Sequence, residues 1–345
     1  MPNRLQFAFL LALLCSAAPA WAQQSEYYRV HLLSGPVIPG KLGSITKDAV
    51  TLATLPNPKE FPVNEIRYVQ LPSEPRELTE ARNLAFDGHY DQSLQMLDKI
   101  PPPQLANEVV KQDADFYRSF DNAKLAIAGV GDPRSAGTAL IAYLKNNKDS
   151  YHYYDANEAA GDLLVAMGRY DQAPNYYKEL ATAPWPDFKM RAAAAQAKAL
   201  AAQGKHEEAI KQFDAALAQD AKGKTAEVQA MAARIGKARS MAELGRGKEA
   251  IDMLNDALDK APAENNLIHA QAYNALGATY LKLKQPKDAL YAYLHTDLIY
   301  NQSPSEHAEA LHFLKDLWTQ DKKPDRAKEA ADTLKQRYPT SLWNK

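Results

Sequence analysis

The stretch Tyr273–Asn301, YNALGATYLKLKQPKDALYAYLHTDLIYN, decides how the chain folds. Leu276-Gly277 is followed by Tyr280, and then by Ala289 and Tyr293, the offsets of a helix, a turn and a second helix. One such hairpin cannot bury its own apolar face, so it requires neighbours of the same kind.

Those neighbours are found by aligning the small residue that opens each second helix. Ser93, Ala136, Ala173, Ala209, Ala250, Ala289 and Ala327 then form one column, at intervals of 36 to 43 residues. Other columns test the alignment. Five residues earlier stand Gly88, Gly131, Gly168, Gly204, Gly245, Lys284 and Lys322, where a first helix must stop and a left-handed residue is wanted. Nine earlier, Leu84, Ile127, Leu164, Leu200, Met241, Tyr280 and Trp318 are all apolar. Twelve earlier come Ala81, Gly161, Ala197, Ala238 and Gly277, small residues suited to a close helix crossing, with Lys124 and Lys315 as exceptions.

The offsets in Tyr273–Tyr293 resemble the tetratricopeptide repeat (TPR) pattern W-x2-L-G-x2-Y…A-x3-F, whose standard length is about 34 residues. The resemblance implies a mostly α protein, a right-handed superhelical solenoid of about six to seven hairpins over residues 75–345. The hairpin around Ala136 and the last one fit least well, and a non-TPR helical hairpin remains the alternative over Ala106–Lys145. Pro101-Pro102-Pro103 and Pro184-Trp185-Pro186 fall between repeats, as helix breakers should. Leu342-Trp343, after Pro339, is placed to fold back on the last repeat.

Ahead of the helices, Tyr28, Val30 and Leu32 alternate, Ser34-Gly35-Pro36 turns, Val50 and Leu52 alternate again, and Ile66–Leu71 closes an extended segment. These short strands predict a small antiparallel barrel or curled sheet over residues 23–74. The run VHLLSGPVIPGKLGSITKDAVTL is similar to the opening of Sm-like and SH3-like barrels. An Sm-like fold implies RNA contacts through Lys41, Lys47 or Arg67; a solvated strand face is the simpler reading of those charges.

Residues 1–22 carry Arg4, an apolar run from Leu5 to Leu14, and Ala20-Trp21-Ala22, the layout of a cleavable secretory signal. The run is too short to span a bilayer, and nothing after it predicts a membrane span. The chain is therefore expected in the periplasm or secreted. Cys15 is the one cysteine and leaves with the signal, so no disulfide, thiolate metal site or cysteine nucleophile is expected. A formal net charge of −1 with mixed signs argues against nucleic acid as a partner.

Catalytic motifs fail on context. Ala218–Thr225 satisfies a relaxed Walker A pattern but follows a helix, where a phosphate loop must follow a buried strand. Gly129-Val130-Gly131-Asp132-Pro133 has no strand before it and reads as a turn. The eight histidines form no ligand set and read as surface residues. No enzyme activity, cofactor or metal is expected.

What remains is the concave face of the first helices. Fifteen and eleven residues before each anchor stand Leu78/Arg82, Asp121/Leu125, Glu158/Asp162, Ala194/Lys198, Ile235/Arg239, Asn274/Ala278 and His312/Asp316, none matching the Lys/Asn pairs of carboxylate-clamp TPR domains. Asp155, Glu158, Asp162, Arg191, Lys198, Arg239, Asn274 and Lys282 are the candidate partner-binding residues, acidic at first and basic further on. Lys198 and Arg239 are expected to face solvent, so that reversing them affects association and not stability. The predicted function is a non-catalytic scaffold or adaptor of the bacterial cell envelope that binds a protein segment. The alternative is an accessory subunit of an envelope enzyme or transport assembly whose active site lies in another chain. Self-association is compatible with either.

Overall fold

The computed structural model describes residues 27–54 and 56–344; the signal segment expected over residues 1–22, with Cys15, lies outside them. Five strands come first: β1 (Tyr28–Leu32), β2 (Ile38–Ile45), β3 (Ala49–Ala53), β4 (Lys59–Pro62) and β5 (Ile66–Gln70). They form one antiparallel sheet in the order β4-β3-β2-β1-β5, with register breaks at His31/Leu32 and Leu42/Ser44 that bend it. Alternation does the sorting. Val30, Val50, Leu52, Phe61 and Val69 face inward and join a core continuous with the first helices.

Seven antiparallel hairpins follow: α1 (Arg76–Phe86) with α2 (Tyr90–Asp98), α3 (Glu108–Ile127) with α4 (Pro133–Asn146), α5 (Tyr153–Ala166) with α6 (Ala173–Ala181), and α7 (Pro186–Ala202) with α8 (His206–Leu217). The series continues with α9 (Lys224–Glu243) and α10 (Gly247–Lys260), α11 (Asn266–Lys282) and α12 (Pro286–Leu298), and α13 (Pro304–Gln320) and α14 (Pro324–Arg337). The result is a TPR-like helical solenoid carrying an N-terminal β module. Among the described residues no helix is long and apolar enough to cross a membrane.

The turn column explains why the hairpins repeat. All seven of its members have positive φ, from 58° at Lys284 to 92° at Gly131, and all seven small anchors are buried. In six turns the same bond pair closes the first helix. In the first of them the Gly88 N–H donates to the Ala85 carbonyl at 3.1 Å and the His89 N–H to the Leu84 carbonyl at 2.8 Å. Lys284 and Lys322 adopt the left-handed conformation without glycine's freedom, the sequence position overriding residue preference. The α3–α4 turn departs from the expected alignment. Here the bond pair closes on Gly129, not Gly131, because the Val130 N–H reaches the Leu125 carbonyl at 2.8 Å. Gly131 is left-handed as well, but in the two-residue extension that follows.

Gly129 is special for another reason. A Cβ there would lie 2.4 Å from Ser341 Cα, so the backbone of the C-terminal segment rests directly on this turn. The Thr340 N–H donates to the Gly129 carbonyl at 3.0 Å, and Thr340 Oγ1 donates to the Gly131 carbonyl at 3.1 Å. Val130 enters the apolar cluster formed by α11 to α14 and Trp343. The seventh hairpin therefore touches the second, and the solenoid closes on itself.

The β module lies across the inner helices as well as over the first hairpin. Lys47, in the β2–β3 turn, donates to Tyr154 Oη on α5 at 2.7 Å, and that hydroxyl donates to Asp48 at 2.7 Å. Asn64 Nδ2 lies 3.3 Å from both carboxylate oxygens of Asp187 on α7.

Within a hairpin, ring and glycine fit each other. A Cβ on Gly277 would sit 2.5 Å from the Tyr293 ring, and one on Gly161 would meet the Tyr177 ring at 2.3 Å. Gly277→Ala is therefore expected to lower unfolding free energy by about 1–3 kcal/mol in denaturant melts. In a Tyr293→Leu background the same change should cost distinctly less, and equal costs would show that the ring is not what glycine accommodates.

Candidate functional site

The odd-numbered helices line the inside of the solenoid, and the polar residues expected there form two clusters rather than a graded strip. In the first, Arg191 on α7 donates through Nη2 to Asp155 at 2.6 Å and through Nε to Glu158 at 3.0 Å, both on α5. Its guanidinium also lies 4.5 Å from the centre of the Phe188 ring. Burial by itself lowers the Arg191 pKa, but Glu158 and Asp155 outweigh it and hold the side chain cationic. Asp162 accepts from Tyr177 Oη at 2.9 Å and lies 3.9 Å from Lys124 Nζ. Lys198 is exposed, and its charge bears on both Glu158 and Asp162.

The second cluster joins α9, α11 and α13. Arg239 is paired with the carboxylate of Glu309, which also lies 3.4 Å from Asn274 Nδ2; the same amide donates to the Glu306 carbonyl at 2.9 Å. Lys282 stands apart from both clusters, 2.6 Å from Glu243. Opposite charges are thus interleaved, so the inner face is largely self-neutralised and has no acidic stretch followed by a basic one.

Stability is affected by this. Glu309 is buried and Arg239 supplies its counter-charge, so the structure leads us to expect that Arg239, unlike Lys198, contributes to stability. Arg239→Ala should lower the unfolding free energy by about 1–3 kcal/mol, since it strands a buried carboxylate, while Lys198→Ala should leave it within about 0.5 kcal/mol. Parallel chemical denaturation of the two variants checks the contrast.

Two features of this face had no signal in the sequence. The first is a buried ionic network around Arg82, which is 1% exposed. Its Nη1 donates to both oxygens of Glu74 at 2.7 Å, and its Nε to Asp113 Oδ2 at 2.7 Å. Asp113 Oδ1 in turn accepts from Tyr151 Oη at 2.8 Å and is hydrogen-bonded to His152 Nε2 at 2.9 Å. Burial would raise the Asp113 pKa; the Arg82 charge, helped by His152 and Tyr151, holds it below the usual carboxylate range instead. The surface reading of the histidines is corrected at three positions. His152 is stacked on Phe116 at 3.7 Å, His269 on Tyr300 at 4.8 Å, and His307 is bound between Asp297 and Tyr338 at 2.8 Å each; all three are buried.

The second feature is a cavity of about 350 Å³ between the β module and α1, α3, α5, α7 and α9, with Tyr90 of α2 at its edge. Phe86, Phe116, Phe120 and Phe188 supply apolar wall, and Arg67 and Lys124 supply charge. Arg67 stacks over Phe86 at 4.1 Å and donates through Nη2 to Asn83 at 3.2 Å, while its buried Nε has no acceptor. Lys124 lies 5.1 Å above the Phe120 ring.

Asp121, expected on this face, is instead fully buried, with neither carboxylate oxygen hydrogen-bonded. Burial pushes its pKa up to about 8 from 3.8; the Ser93 hydroxyl is nearby but outside hydrogen-bonding geometry and offsets little of this. The folded state therefore binds a proton that the unfolded state releases between those values, and stability falls as pH rises through this window. Compared with Asp121→Asn, the native chain should lose up to about 1.4 kcal/mol per pH unit across it, measured as the difference between urea titrations from pH 4 to 9. A pH-independent difference would place a charged Asp121 in the fold.

Residues 194–265 match the family model described as tetratricopeptide repeat. The solved structures similar to this chain include a tetratricopeptide repeat protein from Parabacteroides merdae, at 14% identity over 76% of this chain and 91% of that one, with a TM-score of 0.48. PilW, described as a widely conserved type IV pilus biogenesis factor, is similar at 17% identity over 68% of this chain and 96% of its own, with a TM-score of 0.41. YrrB, described as a TPR protein with an unusual peptide-binding site, is similar at 16% identity over 60% and 95%, with a TM-score of 0.31. No curated protein matches the chain.

Proposed function

We propose that this protein is a non-catalytic binding scaffold of the bacterial cell envelope, which holds a segment of a protein partner at the inner cavity between the β module and the first helices. The observation that carries this reading is the cavity's lining: aromatic rings beside a guanidinium whose buried Nε lacks an acceptor. Apolar walls reward burial of a partner side chain, and an unsatisfied donor rewards a carbonyl or carboxylate placed against it. Nearby charges are spent on one another, as with Arg191, Arg82 and the Lys124–Asp162 pair, so they fix the walls and leave Arg67 to meet a ligand. The envelope location rests on the signal-like pattern of residues 1–22.

The test is to capture partners from envelope extract on the purified protein, identify them by mass spectrometry, and measure affinity for each purified partner by calorimetry. Phe120→Ala and Arg67→Gln should each weaken binding about tenfold or more, corresponding to about 1.4 kcal/mol, with circular dichroism unchanged. A partner that binds both variants as tightly as the native chain uses another surface.

A further inference from the structure

The outer side of the solenoid carries a second, open cavity of about 600 Å³, between α10 and α12 and floored by α11. Tyr273, Tyr280 and Tyr291 present rings to it, and Asp259 and Asp288 stand at its rim. Neither aspartate is in an ion pair among the described residues, and no lysine or arginine lines the cavity. Two of the neighbouring lysines are used locally, Lys260 bound to Asp256 at 2.6 Å and Lys282 to Glu243, while Lys287 beside Asp288 is exposed. His295 is stacked on Tyr273 at 4.3 Å and fixed through Nδ1 to the Tyr291 carbonyl at 2.8 Å. That stack holds the Tyr273 ring in place.

The cavity opens onto an apolar surface. Tyr291 is 65% exposed, and Leu298 and Ile299, seven and eight residues further along the same chain segment, are 70% and 53% exposed. Seven residues of helix advance about 10 Å, the reach of about three residues of extended chain.

We propose that this outer cavity receives an arginine or lysine side chain of a protein partner, whose next apolar residues cover Leu298 and Ile299. Tyrosine faces attract a cation through their quadrupole, and unpaired carboxylates at the rim supply the opposite charge. Charge complementarity excludes an acidic segment. The apolar extension lies beyond the reach of a small free cation, which is why a polypeptide is the occupant. This surface is separate from the inner cavity, so the two proposals stand or fall independently.

The probe is the peptide acetyl-Arg-Ala-Ala-Leu-Leu-amide, titrated into the full chain carrying ring-labelled tyrosine and followed by NMR. Saturable shifts confined to Tyr273, Tyr280, Tyr291 and their neighbours are expected, weakening with added salt. The matching glutamyl peptide should bind at least about tenfold more weakly, and so should the arginyl peptide to the Asp259→Asn/Asp288→Asn variant. Both aspartates are exposed, so that variant should keep the native melting temperature. The proposal is overturned if the arginyl peptide moves none of these signals, or if the glutamyl peptide binds equally well. It is also overturned if tetramethylammonium chloride binds as tightly as the peptide, since a polypeptide would then not be the preferred occupant.

Discussion

A guanidinium with no access to water must be enclosed by acceptors, and the N-terminal half of this protein is assembled around that requirement at Arg82. Its partners come from the segment entering α1, from α3 and, through Asp113, from the residues that open α5. Each carries a different part of the architecture: Glu74 follows the last strand, Asp113 belongs to the second hairpin, and Tyr151 and His152 to the third. Such a network adds little net stability compared with a well-packed apolar core, but losing one member strands the rest at a cost of about 3–5 kcal/mol. Its effect is geometric. The β module and three hairpins have one arrangement in which every charge is answered, and the inner cavity is the space that this arrangement leaves.

The inner face follows the same rule further along. Arg191 answers two carboxylates of the preceding hairpin, and Arg239 answers Glu309 two hairpins ahead. Charged side chains on first helices thus act as struts between repeats, a role a solvated groove does not require of them. Arg67, proposed to meet a partner, is on β5, where the β module covers the helices.

How far the sequence could be read follows from how local each determinant is. The hairpins are legible because a helix stop, a left-handed residue and a small anchor lie within a dozen positions of one another, and the structure honours that spacing even where Lys284 replaces glycine. The one misplacement, at Gly131, has a physical cause. Both Gly129 and Gly131 are left-handed, and helix α3 closes on Gly129, the one pressed against Ser341, more than 200 positions away. Candidate site residues such as Glu158, Arg191 and Arg239 are legible as polar residues on first helices. Their pairings span 33 to 70 positions and leave no local trace. The cavity was invisible for a similar reason, since its walls come from six helices and a sheet. Buried histidines were missed because a stacking ring and an acid partner, such as Phe116 and Asp113 around His152, cannot be inferred from spacing.

The seating of Thr340 and Ser341 on the Gly129 turn changes how the chain can come apart. An open solenoid is a one-dimensional array: each repeat leans only on its neighbours, the ends fray first, and folding spreads from wherever it begins. Here the last hairpin is fastened to the second, so melting the C-terminal end also uncovers Val130 and the apolar cluster it enters. The joint is among the most non-local contacts in the described chain, and it can form only after the intervening repeats have wound into place. Hydrogen exchange should therefore report one broad cooperative unit across hairpins two to seven, in place of the graded protection of a linear array.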